Sequence, residues 1–185
     1  MGYIYIYTGT GAGKTTNALG LALRSLGHKH KVVIIQFMKW WKNTGEYKIR
    51  NRLKPHYQIY LFGRPGWFKF DGKSEIRYRG MRFRVRSVEE LDRELAKKAL
   101  DFAKKKMLEE KPHILVLDEI NLAVHLNILS VKEVLEFLDK IPERTQVVLT
   151  GRYAPKELID RADFVNEIVE VKSPKEFVTT KGIQY

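Results

Sequence analysis

The sequence predicts an α/β protein with three layers, helices covering both faces of a mostly parallel sheet. Three observations carry that expectation. Apolar runs of strand length alternate with longer segments of helical period. Two of those runs, Val32 to Phe37 and Ile114 to Leu117, are almost uniformly apolar, as strands buried on both faces are. Strands separated by helices need crossover connections, which join parallel neighbours. The 185 residues, 44% of them apolar, are enough chain to bury one sizeable core.

The elements follow in order. Tyr3 to Tyr7 reads as a first strand. Thr15 to Leu26 reads as a helix, with Leu19, Ala22, Leu23 and Leu26 on one face and Gly27 as a stop. Lys31 to Phe37 is the second strand and Gln58 to Phe62 a shorter third. Ser87 and Glu90 have the spacing of a capping box, which opens a long helix to about Glu110. Ile114 to Leu117 is a buried strand ending at Asp118 and Glu119. A second capping box, Ser130 with Glu133, opens a helix that Pro142 closes. Gln146 to Thr150 is a strand, Pro155 to Arg161 a short helix, and Ile168 to Val171 the last strand.

Residues 1–185 read as a single domain, interrupted by a basic, aromatic-rich insertion at about 39–86. The chain carries a formal +12, and fourteen Lys or Arg against three Asp or Glu put +11 of it between Lys39 and Arg86. All three tryptophans lie there too. Such a stretch is either a solvated basic face with packing aromatics or a site for a large anionic or flat ligand. Within it, Arg77 to Arg86 has a rough period of two, which fits an edge strand with outward arginines or a nucleic-acid groove. With no cysteine, disulfides and thiolate metal sites are excluded. The start lacks a basic n-region and no apolar run is long enough for a bilayer, so the chain reads as cytoplasmic, with no membrane partner.

The stretch "YTGTGAGKTT", Tyr7 to Thr16, is the chemical signal. Gly13-Lys14-Thr15 is the core of a Walker A loop, with Thr8 where the usual motif has its first glycine. Gly9, Gly11 and Gly13 let the backbone wrap, and their N–H groups can converge on phosphate oxygens. The helix N-terminus adds partial positive charge, Lys14 a full one, and the Thr15 hydroxyl suits Mg2+. "LVLDE" supplies the second half: an apolar strand delivers Asp118 and Glu119 to the sheet edge where open α/β sheets bind ligands, and there they would hold Mg2+. Arg152, after another strand, is placed to contact nucleotide or to be a solvated turn residue. These features predict a nucleotide-binding P-loop fold of the RecA-like kind, without naming the reaction.

With these residues assembled, the chain resembles the P-loop ATP:corrinoid adenosyltransferases, the cob(I)alamin adenosyltransferase family. The likeness runs from Tyr7 nearly to Tyr185. It includes "YTGTGAGKTTNALGLALRSLGH" with its Thr8, "VVIIQFMK", "TGE" at Thr44 to Glu46, "LVLDEIN", "VVLTGR" and the ending "GIQY". The resemblance implies transfer of the 5′-deoxyadenosyl group of ATP to the Co(I) of a corrinoid, with triphosphate released and Mg2+ as cofactor. It implies Lys14 and Glu119 as catalytic residues, and nucleotide contacts from the phosphate loop, Gly9, Thr10, Gly11, Ala12, Gly13, Lys14, Thr15 and Thr16, from Arg24 and from Arg152. For Arg24 a surface role is the alternative. It further implies that aromatic residues displace the lower cobalt ligand, with Trp67, Phe68 and Phe70 in the expected region as corrinoid-binding candidates. Implied partners are ATP, the corrinoid and an electron donor that reduces Co(II); family members are often homodimers. Trp40 departs from the family, which tends to have Gly there, and Arg77 to Arg86 has no family counterpart. Two rivals predict other products. A nucleoside kinase would yield ADP, and such kinases usually carry a zinc lasso of cysteines that this chain lacks. A nucleic-acid-binding RecA-like ATPase would bind DNA or RNA with steep salt dependence. Nucleic acid is not the expected partner.

Overall fold

The computed structural model describes residues 2–68, 75–78, 81–174 and 180–184, with the backbone alone at 75–78 and 81–84. Phe70 lies outside the described residues. In chain order, β1 (Ile4–Thr8) runs through the glycine loop to α1 (Lys14–Gly27) and β2 (Val32–Phe37). A short α2 (Gly45–Lys48) precedes β3 (Tyr57–Phe62), then come β4 (Trp67–Phe68), β5 (Glu75–Tyr78) and β6 (Met81–Arg86). The rest is α3 (Glu90–Glu110), β7 (Ile114–Asp118), α4 (Ile120–His125), α5 (Val131–Leu138), β8 (Gln146–Thr150), α6 (Lys156–Arg161) and β9 (Phe164–Glu167).

Six strands form one sheet in the order β3-β2-β7-β8-β1-β9, and every pairing in it is parallel. This is the three-layer α/β fold expected, of the RecA-like kind, with β8 between the glycine-loop strand and β7. Period two sorts the strand side chains into two cores. Ile4, Ile6, Val33, Ile35, Phe37, Leu115, Leu117, Val147 and Leu149 face one side, where Ala96, Ala99 and Ala103 let α3 approach closely. Val32, Ile34, Ile114, Val116 and Val148 face the other, against Ala18 and Ala22 of α1. The buried stripe of α1 is therefore Ala18, Ala22 and Ser25, and Leu23, expected inward, is 68% exposed.

Local chemistry moved four expectations. The capping box of α3 is Glu89 with Asp92, not Ser87 with Glu90. Asp92 accepts the Glu89 N–H at 3.0 Å and is fixed there by Arg64 and Arg86, which set the helix start. The last strand is Phe164–Glu167, not Ile168 to Val171. Its partner β1 ends at Thr8, paired with Glu167, so there is no strand left for the later apolar run, and Val169 and Val171 are exposed. α4 went unforeseen because six residues, nearly all buried, show no amphipathic period. Finally, Arg77 to Arg86 is not one edge strand: β5 and β6 are antiparallel, with Glu75 opposite Arg84 and Tyr78 opposite Met81. β4 adds to β6 in parallel, making a small second sheet.

Candidate functional site

The glycine loop leaves β1 at the C-terminal edge of the large sheet. Gly9 and Gly13 have φ of 95° and 113°, conformations that side chains rarely adopt. Gly11 is needed for space: a Cβ there would come within 2.8 Å of the Val169 backbone. Its N–H donates to the Ile168 carbonyl at 2.8 Å, and Ile168 N–H donates to the Thr8 carbonyl at 2.9 Å. Residues just beyond β9 thus brace the loop from one side. Thr8, the departure from the usual motif, is buried, and its hydroxyl accepts the Ala154 N–H at 3.2 Å. Thr10, Ala12 and Thr16 are exposed.

Lys14 is only 8% exposed and folds back on the loop, its Nζ donating to the Gly11 carbonyl at 2.5 Å. Burial pulls its pKa down, the Glu119 carboxylate opposes that, and the positive charge of Arg152 adds to it. Lys14, Glu119 and Arg152 therefore feel one another at this edge.

Asp118 ends β7 fully buried, with both carboxylate oxygens engaged. Thr15 Oγ1 and Thr150 Oγ1 donate to Oδ1 at 2.8 and 2.6 Å. Gln36 Nε2 and Lys39 Nζ donate to Oδ2 at 2.8 and 2.6 Å. Burial alone would raise the Asp118 pKa; Lys39 and the hydroxyl donors outweigh it and hold the carboxylate ionised. Glu119 differs. It begins α4 with φ of 67°, and its N–H donates to Thr150 Oγ1 at 3.0 Å. Its Oε2 is buried without a hydrogen-bond partner, and burial raises its pKa, with Lys39 pulling the other way. A buried carboxylate oxygen left without a hydrogen-bond partner suits a cation.

The sequence reading named the loop, Thr15, Asp118, Glu119 and Arg152, and the fold brings these to one edge. It missed Gln36, Lys39 and Thr150. The signals were a glutamine in an apolar strand, a lysine two residues past that strand, and a threonine closing β8. The fold does not bring Arg24 to the loop. Ten residues further along α1, about 15 Å of helix, Arg24 lines a cavity of about 250 Å³ with His28, His30 and His113 at the opposite edge of the sheet.

The aromatic candidates separate. Trp67 is 51% exposed and meets Trp40 edge to face at 5.7 Å. Phe68 is 7% exposed, belongs to the larger core and lies under the Arg86 guanidinium at 4.3 Å. Arg86 and Arg64 both reach Asp92. Burial would raise that carboxyl, but the bonds from Arg86, Arg64 and the Glu89 amide hold it well below the usual carboxylate range.

A braced glycine loop, a lysine folded into it and a threonine tied to a strand-end aspartate define a P-loop nucleotide-binding protein. A family model described as ATP:corrinoid adenosyltransferase BtuR/CobO/CobP matches residues 1–185, and the chain belongs to that family. It is 34% identical over 178 residues to a corrinoid adenosyltransferase of Sinorhizobium sp, covering 94% of this chain and 74% of the relative. It is 31% identical over 174 residues to the corrinoid adenosyltransferase of Escherichia coli (strain K12), covering 92% and 78% respectively. The same figures hold for corrinoid adenosyltransferase CobA of Salmonella typhimurium.

Proposed function

We propose that the chain transfers the 5′-deoxyadenosyl group of ATP to the Co(I) of a corrinoid and releases triphosphate. Family membership supports the reaction, and the cationic cradle around the glycine loop carries it at residue level. The corrinoid, a substrate, brings its own nucleophile. The Co(I) electron pair forms the bond to C5′, the C5′–O bond breaks with its pair going to triphosphate, and cobalt ends as Co(III). No side chain has to remove a proton. Negative charge grows at the leaving end, where Lys14, the loop N–H groups other than that of Gly11, which the Ile168 carbonyl takes, and Arg152 would meet it, so these groups would act more strongly on the transition state than on bound ATP. Lys14 exchanges a neutral carbonyl for the triphosphate.

Mg2+ fits this edge. The unmatched Glu119 Oε2, the Thr15 hydroxyl and Asp118, which already accepts the Thr15 hydroxyl, would hold it directly or through water. Among the described residues no group of three or more His, Cys, Asp or Glu is placed to hold a metal. Bound there, Mg2+ would neutralise triphosphate charge. An external electron donor would supply Co(I), and Trp67, half exposed where Phe68 is buried, would face the corrin. Among the described residues no helix is long and apolar enough to cross a membrane.

The test is an anaerobic reaction of ATP, Mg2+ and chemically reduced cobalamin. The expected outcome is a light-sensitive Co–C bond with triphosphate in equal amount. ADP and phosphate without cobalt alkylation would overturn the proposal.

A further inference from the structure

Lys39 has no role in the reading above, yet the fold goes to some length to place it. Met38, just before it, has φ of 59°, a strained conformation for a side-chain-bearing residue. The turn is held by the Met38 N–H, which donates to the Phe62 carbonyl at 2.8 Å, and by Gly63, where a Cβ would come within 2.3 Å of the Met38 backbone. The result turns the Lys39 ammonium back over the sheet edge. Its Nζ sits 2.6 Å from Asp118 Oδ2 and 3.5 Å from Thr15 Oγ1, the two groups that meet at the phosphate loop. Glu119 Oε2 stays without a hydrogen-bond partner, although the Lys39 charge acts on that carboxyl.

We propose that Lys39 is a positioning residue that stands in for the metal: in the nucleotide-free protein its ammonium fills the seat between Asp118 and Thr15, so a divalent cation is retained only when it arrives with the polyphosphate. The proposal rests on the nucleotide-site reading and adds a gate to it. The physical reason is competition. A free cation finds few protein oxygens here, and must both shed water and displace a short ion pair. With a polyphosphate present, the cation gains phosphate ligands and the displaced ammonium gains a new anion. Lys39 also keeps Asp118 ionised and the Thr15 hydroxyl aligned while the site waits.

The probe is Mn2+, followed by electron paramagnetic resonance and calorimetry, with and without ATP and with no corrinoid present. Wild type should bind Mn2+ weakly alone and far more tightly with ATP. Lys39→Met should bind Mn2+ alone at least about tenfold more tightly than wild type, because its buried carboxylate has lost its cation. The gain from added ATP should shrink accordingly. Lys39→Met/Asp118→Asn should lose the new binding. Circular dichroism establishes folding, and Lys39→Gln serves if Lys39→Met does not fold. A folded Lys39 variant with wild-type affinity for Mn2+ alone overturns the proposal. So does a wild type that holds Mn2+ equally with and without ATP. The arms without ATP do not depend on adenosyl transfer, so failure of that reaction and failure of the gate are read separately.

Discussion

Lys14 gives its charge to a neutral partner, the Gly11 carbonyl, in a place where burial disfavours the charge. An anionic ligand on the loop relieves both defects. Lys14→Ala should therefore leave unfolding unchanged within error and lower kcat by at least about a hundredfold, the scale of removing a preorganised donor from a developing charge. A folded Lys14→Ala protein with normal turnover would remove the leaving-group role. At this scale the loop and the Asp118–Glu119 pair were legible because their spacing is local in the chain. Gln36, Lys39 and Thr150 were not. Their roles depend on register: Gln36 lies opposite Asp118 across β2 and β7, and Thr150 reaches the same carboxylate from β8. One sequence shows each strand but not which residues of two strands meet.

At the scale of elements, β4 presents two neighbours to opposite fates. Phe68 packs into the core under Arg86, whereas Trp67 is half exposed against Trp40. Phe68→Ala should destabilise the fold by about 3 kcal/mol in denaturant titration, as a core cavity does. Trp67→Ala should leave stability nearly unchanged while slowing reduction of Co(II) more than reaction with preformed Co(I). Equal loss in both assays would take Trp67 out of ligand displacement. The sequence reading grouped the two because adjacent aromatics look alike until a strand assigns their faces. The same limit shifted the capping box and the last strand. Asp92 is chosen by arginines 28 and 6 residues away, and β9 is placed by the length of β1. The buried strands and the Ser130 box were legible because their causes lie within a few residues.

Across the whole molecule, the first strand of the large sheet and the chain leaving its last strand meet at the glycine loop. β1 lies between β8 and β9, and the chain leaving β9 at Ile168 bonds to Thr8 with its N–H and to Gly11 with its carbonyl. The loop's shape is therefore not a property of β1 and α1 alone; it is completed by Ile168, just past the closing strand and more than 150 residues later. Ile168→Pro tests this, since it removes the N–H that Thr8 accepts and leaves the carbonyl. The lost bond should cost about 1 kcal/mol of stability. If loop shape sets affinity, a similar amount should appear as several-fold weaker ATP binding by calorimetry. The two effects separate the possibilities. Lower stability with unchanged ATP affinity would mean that the glycines and α1 shape the loop unaided, and that β9 contributes only packing. Loss of both makes the closing strand part of the nucleotide site. Substitutions at Asp163, whose carboxylate accepts the Ile4 N–H at 2.7 Å, should then weaken ATP binding from the far end of the same strand pair.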